Sequence, residues 1–369
     1  MVTSAEGFRY PKIDPERCVD CGKCEQTCPY LNLSVKGDIL KQPAAWFVRS
    51  KDEYVLSASS SGGIFFELAK LVIRKGGVVF GAVWGDKYDE VYHTCAVTME
   101  DLSAMQGSKY LQSDMRLCFS EAKEYLDKGT SVLFSGTPCQ IAGLLSFLQR
   151  DYENLLTCDL ICHGVPSPVV LHDFLAEREN RTGKKATAYY RDKKLGWSPS
   201  MFRVVYEDGS SEVIPLEENV YVRIFSNHNG QHRLSCYHCR FSRSPRVADI
   251  SLGDYFVLRD AKDLQGNTVS AADNKGVSLI TVNTRQGESW FRQLRPAVEG
   301  TQLQLSTVTS WHLFKGPAGS LFLRGMLFYL LGRRLSVTQS YDILYGNAGR
   351  LKKYYYRILY LLDRRKTGG

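Results

Sequence analysis

Apolar residues recur at helical spacing at Ile64, Phe65, Leu68, Leu71 and Val72, and Gly76-Gly77 closes the helix they predict. The unbroken apolar run at 78–84 then reads as a buried strand. Thr98 and Glu100 open a short helix, and the spacing predicts a longer one over 114–126. The clearest fold signal follows. Residues 131–135 predict a strand, 136–140 (Gly-Thr-Pro-Cys-Gln) a tight turn with Pro138 near the first helical position, and IAGLLSFLQ a helix. A second strand at 155–161 ends in Cys162-His163-Gly164. This βαβ pattern implies parallel strands and a right-handed crossover.

Further along, Ser167-Pro168 caps a helix to about 179, and residues 201–216 alternate as a hairpin about Asp208-Gly209. The stretch 276–284 predicts a strand and 286–294 a helix; beyond Trp311 the pattern becomes helical, aromatic and basic. The expected class is α/β: a mixed sheet with a parallel βαβ core, a small N-terminal segment, and a C-terminal helical appendage. Three regions are expected at 1–42, 43–310 and 311–369, with a polar connector at 31–42.

At 369 residues the chain has room for two domains or one large one, and its 44% apolar and 23% charged residues are those of a globular protein. The net charge of +8 is unevenly placed: from Trp311 on, eleven Lys/Arg face only Asp342 and Asp363, so the remainder is near neutral. No nucleic-acid partner is therefore expected for the body. No run reaches the ~18 apolar residues of a spanning helix; the most apolar, SLFLRGMLFYLL, is broken by Arg324. Eleven cysteines without a signal-like start point to a reducing cytoplasm, where thiols serve metals.

Those cysteines carry the chemistry. Cys18, Cys21, Cys24 and Cys28-Pro29 have the C-x2-C-x2-C-x3-C-P spacing by which bacterial ferredoxins hold a 4Fe-4S cluster. Gly22 is read as permitting a close backbone approach to sulfur. A zinc site would pair two CxxC units across a longer spacer, and disulfide frameworks belong to small secreted chains. In two-cluster ferredoxins the fourth cysteine of such a run serves the other cluster. Cys18, Cys21 and Cys24 are thus the secure ligands, with Cys28 completing the set if its loop permits, and Cys95, Cys118 and Cys158 as spare thiols.

Cys139 and Cys162 each follow a strand of the βαβ unit, and open α/β sheets bind ligands at the carboxyl ends of their strands. With Cys236-x2-Cys239 they make four thiolates, enough for a second cluster; the alternative is that Cys139 and Cys162 are buried, unligated thiols. Ser59, Ser60, Ser61, Gly62 and Gly63 set hydroxyls before a helix, where an anion such as phosphate is favoured, although an ordinary serine N-cap is the better reading from these residues alone. Gly107, Ser108, Lys109, Tyr110, Gln112 and Ser113 form a weakly specific polar run. Lys109 and His163 are weak catalytic candidates. Neither GxGxxG after a strand nor GxxxxGK[ST] occurs, so the standard nicotinamide fingerprint and the P-loop are excluded. At the C terminus, Arg350, Lys353, Arg357 and Arg364 fall on one side of a helix and Leu351, Tyr355, Ile358, Leu359 and Leu362 on the other. That suits either acidic lipid or a docking subunit.

Taken together, SSSGG, GSKYLQS, SGTPCQIAG, DLICHGVPSP, SCYHC and DISLGD, in this order, resemble the coenzyme F-420 hydrogenase/dehydrogenase beta-subunit family from about Glu6 to Thr284. The family includes deazaflavin-dependent enzymes, 7-hydroxymethyl chlorophyll a reductase, and bacterial proteins associated with polysaccharide biosynthesis. The resemblance implies bound FAD, with Ser59–Gly63 and Gly107–Ser113 as flavin or substrate contacts and Gly136 and Thr137 at the cofactor, beside a 4Fe-4S cluster on Cys139, Cys162, Cys236 and Cys239. Members commonly carry two ferredoxin runs; here one is present. The expected function is an iron–sulfur flavoprotein oxidoreductase between a ferredoxin-like donor and a small organic substrate or deazaflavin. A non-catalytic electron relay or adaptor docked on a partner or membrane is the alternative. A homo-oligomer, cytoplasmic or peripheral at the inner membrane face, is expected.

Overall fold

The computed structural model describes residues 1–32, 37–85, 90–193, 195–254, 261–271, 273–308 and 316–346. The chain opens with the hairpin β1 (Val2–Thr3) and β2 (Arg9–Tyr10), followed by the short helix α1 (Lys23–Gln26). The body runs β3 (Ile39–Ser50), α2 (Glu53–Ala58), α3 (Ile64–Arg74), β4 (Val78–Trp84), β5 (Val91–Ala96), α4 (Leu102–Met105), β6 (Ser113–Asp114), α5 (Cys118–Asp127), β7 (Val132–Gly136), α6 (Pro138–Leu148), β8 (Leu155–Leu160) and α7 (Pro168–Thr182). It continues through β9 (Ala186–Asp192), β10 (Met201–Tyr206), β11 (Ser211–Pro215), α8 (Val220–Val222), β12 (Ile250–Asp254), β13 (Ser278–Thr284), α9 (Arg285–Leu294), β14 (Val298–Leu303) and α10 (Leu305–Val308). Helices α11 (Leu321–Gly332) and α12 (Val337–Tyr345) complete it.

Among the described residues one nine-stranded sheet has the order β14-β3-β13-β12-β8-β7-β4-β5-β6. Strands β12, β8, β7 and β4 are mutually parallel, whereas β13, β3 and β14 join antiparallel, so the sheet is mixed around a parallel centre. Alternation explains the layering: Val132 and Phe134 of β7 face the core built with α5 and α6, while Leu133 faces the core built with α3 and α9. Helices therefore cover both faces of the central strands. A second sheet, β11-β10-β9, packs with α7, α11 and α12 through Phe174, Phe202, Tyr221, Leu327 and Tyr341.

Two sequence expectations are corrected. Residues 39–42 are strand rather than connector. Lys41, Gln42 and Pro43 read as polar loop because this end of β3 runs past Ala45, where pairing with β14 stops, and a register shift against β13 accommodates the proline. The helix placed at 114–126 starts at Cys118, because Ser113–Asp114 pairs with β5 and Arg116 adopts a left-handed φ of 45°. The break at Arg324 has a structural reason too. Its side chain is buried, bonded to both carboxylate oxygens of Glu6 and to the His232 carbonyl, and so ties α11 to the N-terminal segment. The amphipathic pattern at 350–364 lies outside the described residues. No helix among those described is long and apolar enough to cross a membrane.

Candidate functional site

Strands β7 and β8 are parallel neighbours, with Gly136 opposite Asp159, so the segments leaving their carboxyl ends rise side by side. Thr137 caps α6 through a reciprocal capping box with Gln140 and fixes Cys139 in the first turn, its Oγ1 3.2 Å from Cys139 Sγ. Beyond β8, the Gly164 amide donates to Cys162 Sγ at 3.3 Å. Cys236 and Cys239 come from the short 3-10 turn Leu234–His238 and the residue after it. That turn is sewn to the β8–α7 loop by the Arg233 amide, which donates to the Val165 carbonyl, and by the Pro166–His232 bridge. Gly164 sits at φ 104°, and a Cβ there would run into the His232 ring and lie 3.2 Å from Cys236 Cβ.

The four thiols act on one another. Burial pushes Cys162 well up, and Cys139, Cys236 and Cys239 push it further; burial first, then Cys139 and Cys239, pushes Cys236 up to about 12. Cys139 faces open space within this crevice, and surrounding protein raises its thiol as well. Thiols held like this become thiolates only against a cation, which is what iron supplies. Among the described residues no three His, Cys, Asp or Glu side chains stand close enough to share a single metal ion. Four cysteine thiols brought together from three segments are a donor set of the kind that a 4Fe-4S cluster takes.

In the N-terminal segment Cys18, Cys21 and Cys24 are exposed and Cys28 half-buried. Gly22 adopts φ 67° before α1, and a Cβ there would meet nothing within 4 Å. The glycine supplies the left-handed turn that opens α1. Cys118 and Cys158 are enclosed in the apolar cores, which removes them as substitutes for Cys28. The segment is docked by Tyr30, a residue the cysteine spacing did not single out. Its hydroxyl donates to the His238 carbonyl at 3.0 Å, its carbonyl accepts from Arg240, and its ring meets Phe241 edge-on. Burial raises the Tyr30 phenol, and Cys239, Cys139 and Cys236 add to the shift, so Tyr30 stands beside the four-thiol crevice two residues from Cys28.

The two polar stretches also meet. The Ser108 amide donates to Ser60 Oγ at 2.9 Å, and Gln106 reaches Ser59. Farther along, Gln140 donates to Ser113 Oγ at 2.7 Å, and the Arg9 amide donates to Gln112. The run from Gly107 to Ser113 thus spans from the serine loop to the Gly136-Thr137 turn that carries Cys139. The serines do not cap α3 as the simpler reading held: Gly63 stands at its N-cap with φ 80°, Ser59 bonds back to the Val55 carbonyl, and Ser61 to that of Val277. Gly62 is required because a Cβ there would lie 2.6 Å from the Val48 carbonyl oxygen.

Lys109 places its ammonium on the carbonyls of Ala104, Gln106 and Gly107, and burial pulls it down to about 7. His163 is exposed beside Cys162. Sequence spacing missed the polar residues of the second sheet. Buried Arg191 pairs with Asp254 and donates to the Ser60 carbonyl, and Lys193 binds the carbonyls of Leu56, Ser61 and Lys275. Their contacts cross more than 130 positions of chain in places, which no local motif reports.

The arrangement defines an iron–sulfur electron-transfer protein built on a mixed α/β sheet. Residues 10–33 match the 4Fe-4S binding domain, and residues 129–309 match the C-terminal part of the coenzyme F420 hydrogenase/dehydrogenase beta subunit. Residues 129–309 thus form the C-terminal domain characteristic of the coenzyme F420 hydrogenase/dehydrogenase beta subunit. Its fold is similar to a chain of the F420-reducing [NiFe] hydrogenase complex from Methanosarcina barkeri, with a TM-score of 0.50, 19% identity, and coverage of 83% of this chain and 91% of that one. No curated protein sequence matches the chain significantly.

Proposed function

We propose that this protein is a flavin-dependent iron–sulfur oxidoreductase subunit in which Cys18, Cys21, Cys24 and Cys28 hold one 4Fe-4S cluster and Cys139, Cys162, Cys236 and Cys239 a second. The observation that carries the reading is the crevice at the ends of β7 and β8, where four cysteines converge and Tyr30 docks the N-terminal segment. When bound, the clusters carry single electrons and FAD exchanges one or two, which suits a two-electron step on a small organic substrate or deazaflavin. The chain's own residues orient these groups. Thr137 and Gln140 fix Cys139 to the same turn that meets Ser113, and Ser60 fixes the serine loop to Ser108, so the flavin-side loops and the thiols share one scaffold. Arg191 and Lys193 place cationic groups beside those loops, which favours a phosphate-bearing ligand. The donor is a ferredoxin-like protein or a partner redox subunit, in a cytoplasmic setting, and a polysaccharide pathway is one source of substrate.

One observation favours a simpler electron relay: Ser59, Ser61, Lys109 and Lys193 already spend polar atoms on backbone carbonyls. Anaerobic purification separates the readings. The oxidoreductase gives a yellow-brown protein with flavin and about eight irons, whose flavin is reduced in stopped flow by a low-potential donor. A relay gives iron without reducible flavin, and a colourless, iron-free protein after reconstitution overturns both.

A further inference from the structure

Arg233 is held at five points around the four-thiol crevice. Its amide donates to the Val165 carbonyl at 3.1 Å, three residues past Cys162, and its own carbonyl accepts from the Cys236 amide at 2.9 Å. Its Nε reaches Ser235 Oγ at 3.1 Å, one Nη donates to the Arg9 carbonyl at 2.7 Å, and the guanidinium lies 4.1 Å from the centre of the Tyr10 ring. An arginine so tethered keeps its guanidinium near one place. Ser235, the partner of its Nε, adjoins Cys236, so the charge is held against the turn that carries Cys236 and Cys239. No other side chain connects the β1–β2 hairpin, the 3-10 turn and the thiols in this way among the described contacts.

We propose that Arg233 is a positioning residue that sets the reduction potential of the cluster held by Cys139, Cys162, Cys236 and Cys239, by fixing a cation against the turn that supplies two of the four cysteines. This rests on the cluster assignment given above. A site of four thiolates becomes more negative when it accepts an electron, so a fixed neighbouring cation stabilises the reduced state more than the oxidised one and raises the potential. Half-buried placement protects the effect from salt screening. Arg240, which instead rests on the Tyr30 carbonyl at the exposed edge, is expected to matter less.

The test is an EPR-monitored redox titration of the anaerobically reconstituted full chain. Arg233→Gln is expected to lower the midpoint of the internal cluster so that its reduced fraction at fixed potential falls roughly tenfold, about 59 mV for one electron. Arg233→Lys keeps the charge and should stay near the parent. Ser235→Asp provides a second route: a carboxylate set against Nε cancels the charge with Arg233 still in place, and should lower the midpoint likewise. The N-terminal cluster, unchanged in all three, serves as internal standard. Unchanged midpoints in both Arg233→Gln and Ser235→Asp overturn the inference while leaving the clusters intact. If Arg233→Gln loses the internal cluster, the Ser235→Asp midpoint decides. A parent protein with no internal cluster signal overturns the assignment itself.

Discussion

The Tyr30 hydroxyl donates to the His238 carbonyl at 3.0 Å, across 208 positions of chain. Through it, the segment that carries Cys28 is seated on the turn that carries Cys236 and Cys239. The segment carrying one cysteine group is thus anchored on the turn that carries half of the other.

Replacing Tyr30 separates two contributions. Tyr30→Phe removes one partly exposed hydrogen bond and should cost about 0.5–1.5 kcal/mol, leaving the ring on Phe241 and Arg240. Tyr30→Ala removes the ring as well and frees the segment. Power-saturation EPR of the fully reduced protein should show magnetic interaction between the clusters in the parent and in Tyr30→Phe. In Tyr30→Ala it should be lost; persistence there would mean that something else seats the segment.

Iron content tests the ligand sets one residue at a time. Serine at Cys139, Cys162, Cys236 or Cys239 should reduce iron from about eight to about four per chain. Serine at Cys18, Cys21 or Cys24 should remove the other four. Cys95→Ser and Cys158→Ser should leave iron unchanged, because these thiols sit within the packed body. Colorimetric iron assay with the EPR signature of the remaining cluster identifies which site was lost.

The parallel centre of the fold was legible because its signals are local: an apolar run, a Thr-Pro turn, a helix and a second apolar run lie within about thirty residues. From that topology alone Cys139 and Cys162 were expected to face one crevice, and β7 and β8 are indeed neighbours. The antiparallel flank was not legible. Strand β3 pairs with β13 and β14 from more than two hundred positions away, and its polar first residues read as connector. Tyr30, Arg233 and Arg191 escaped for the same reason, since each is defined by tertiary partners. Local physics did not join the serine stretch to Gly107–Ser113 either; the Ser60–Ser108 bond that links them spans 48 positions.

Glu6 and Arg324 offer a stability test. Arg324 is 3% exposed and its charge is answered by Glu6, so Glu6→Ala leaves a buried guanidinium without its carboxylate. Such a loss typically costs about 3–5 kcal/mol, and the partial exposure of Glu6 places this pair at the lower end. The double variant Glu6→Ala/Arg324→Met should recover much of the loss, since no charge is then buried. Urea unfolding midpoints measure both; equal midpoints for the single and double variants would show that the charge is not what matters.

His93 is buried on β5, its Nε2 2.9 Å from the Ser135 carbonyl and its ring stacked on Phe134. Burial is the main cause that lowers its pKa from 6.5 to about 4, the Ser135 carbonyl opposes it, and the Lys109 charge lowers it further. Below pH 6.5 the unfolded chain therefore takes up a proton that the folded chain refuses until about pH 4. Stability from this residue is complete above the unfolded value and falls as pH drops through that window, by about 1.4 kcal/mol per pH unit. His93→Gln removes the titrating group while keeping a donor for Ser135, so it should lower stability at pH 7 yet flatten the decline from pH 6.5 to pH 4. Urea unfolding of parent and variant at pH 7, 6 and 5 measures the difference. Parallel declines would mean that other groups, not His93, carry the acid sensitivity.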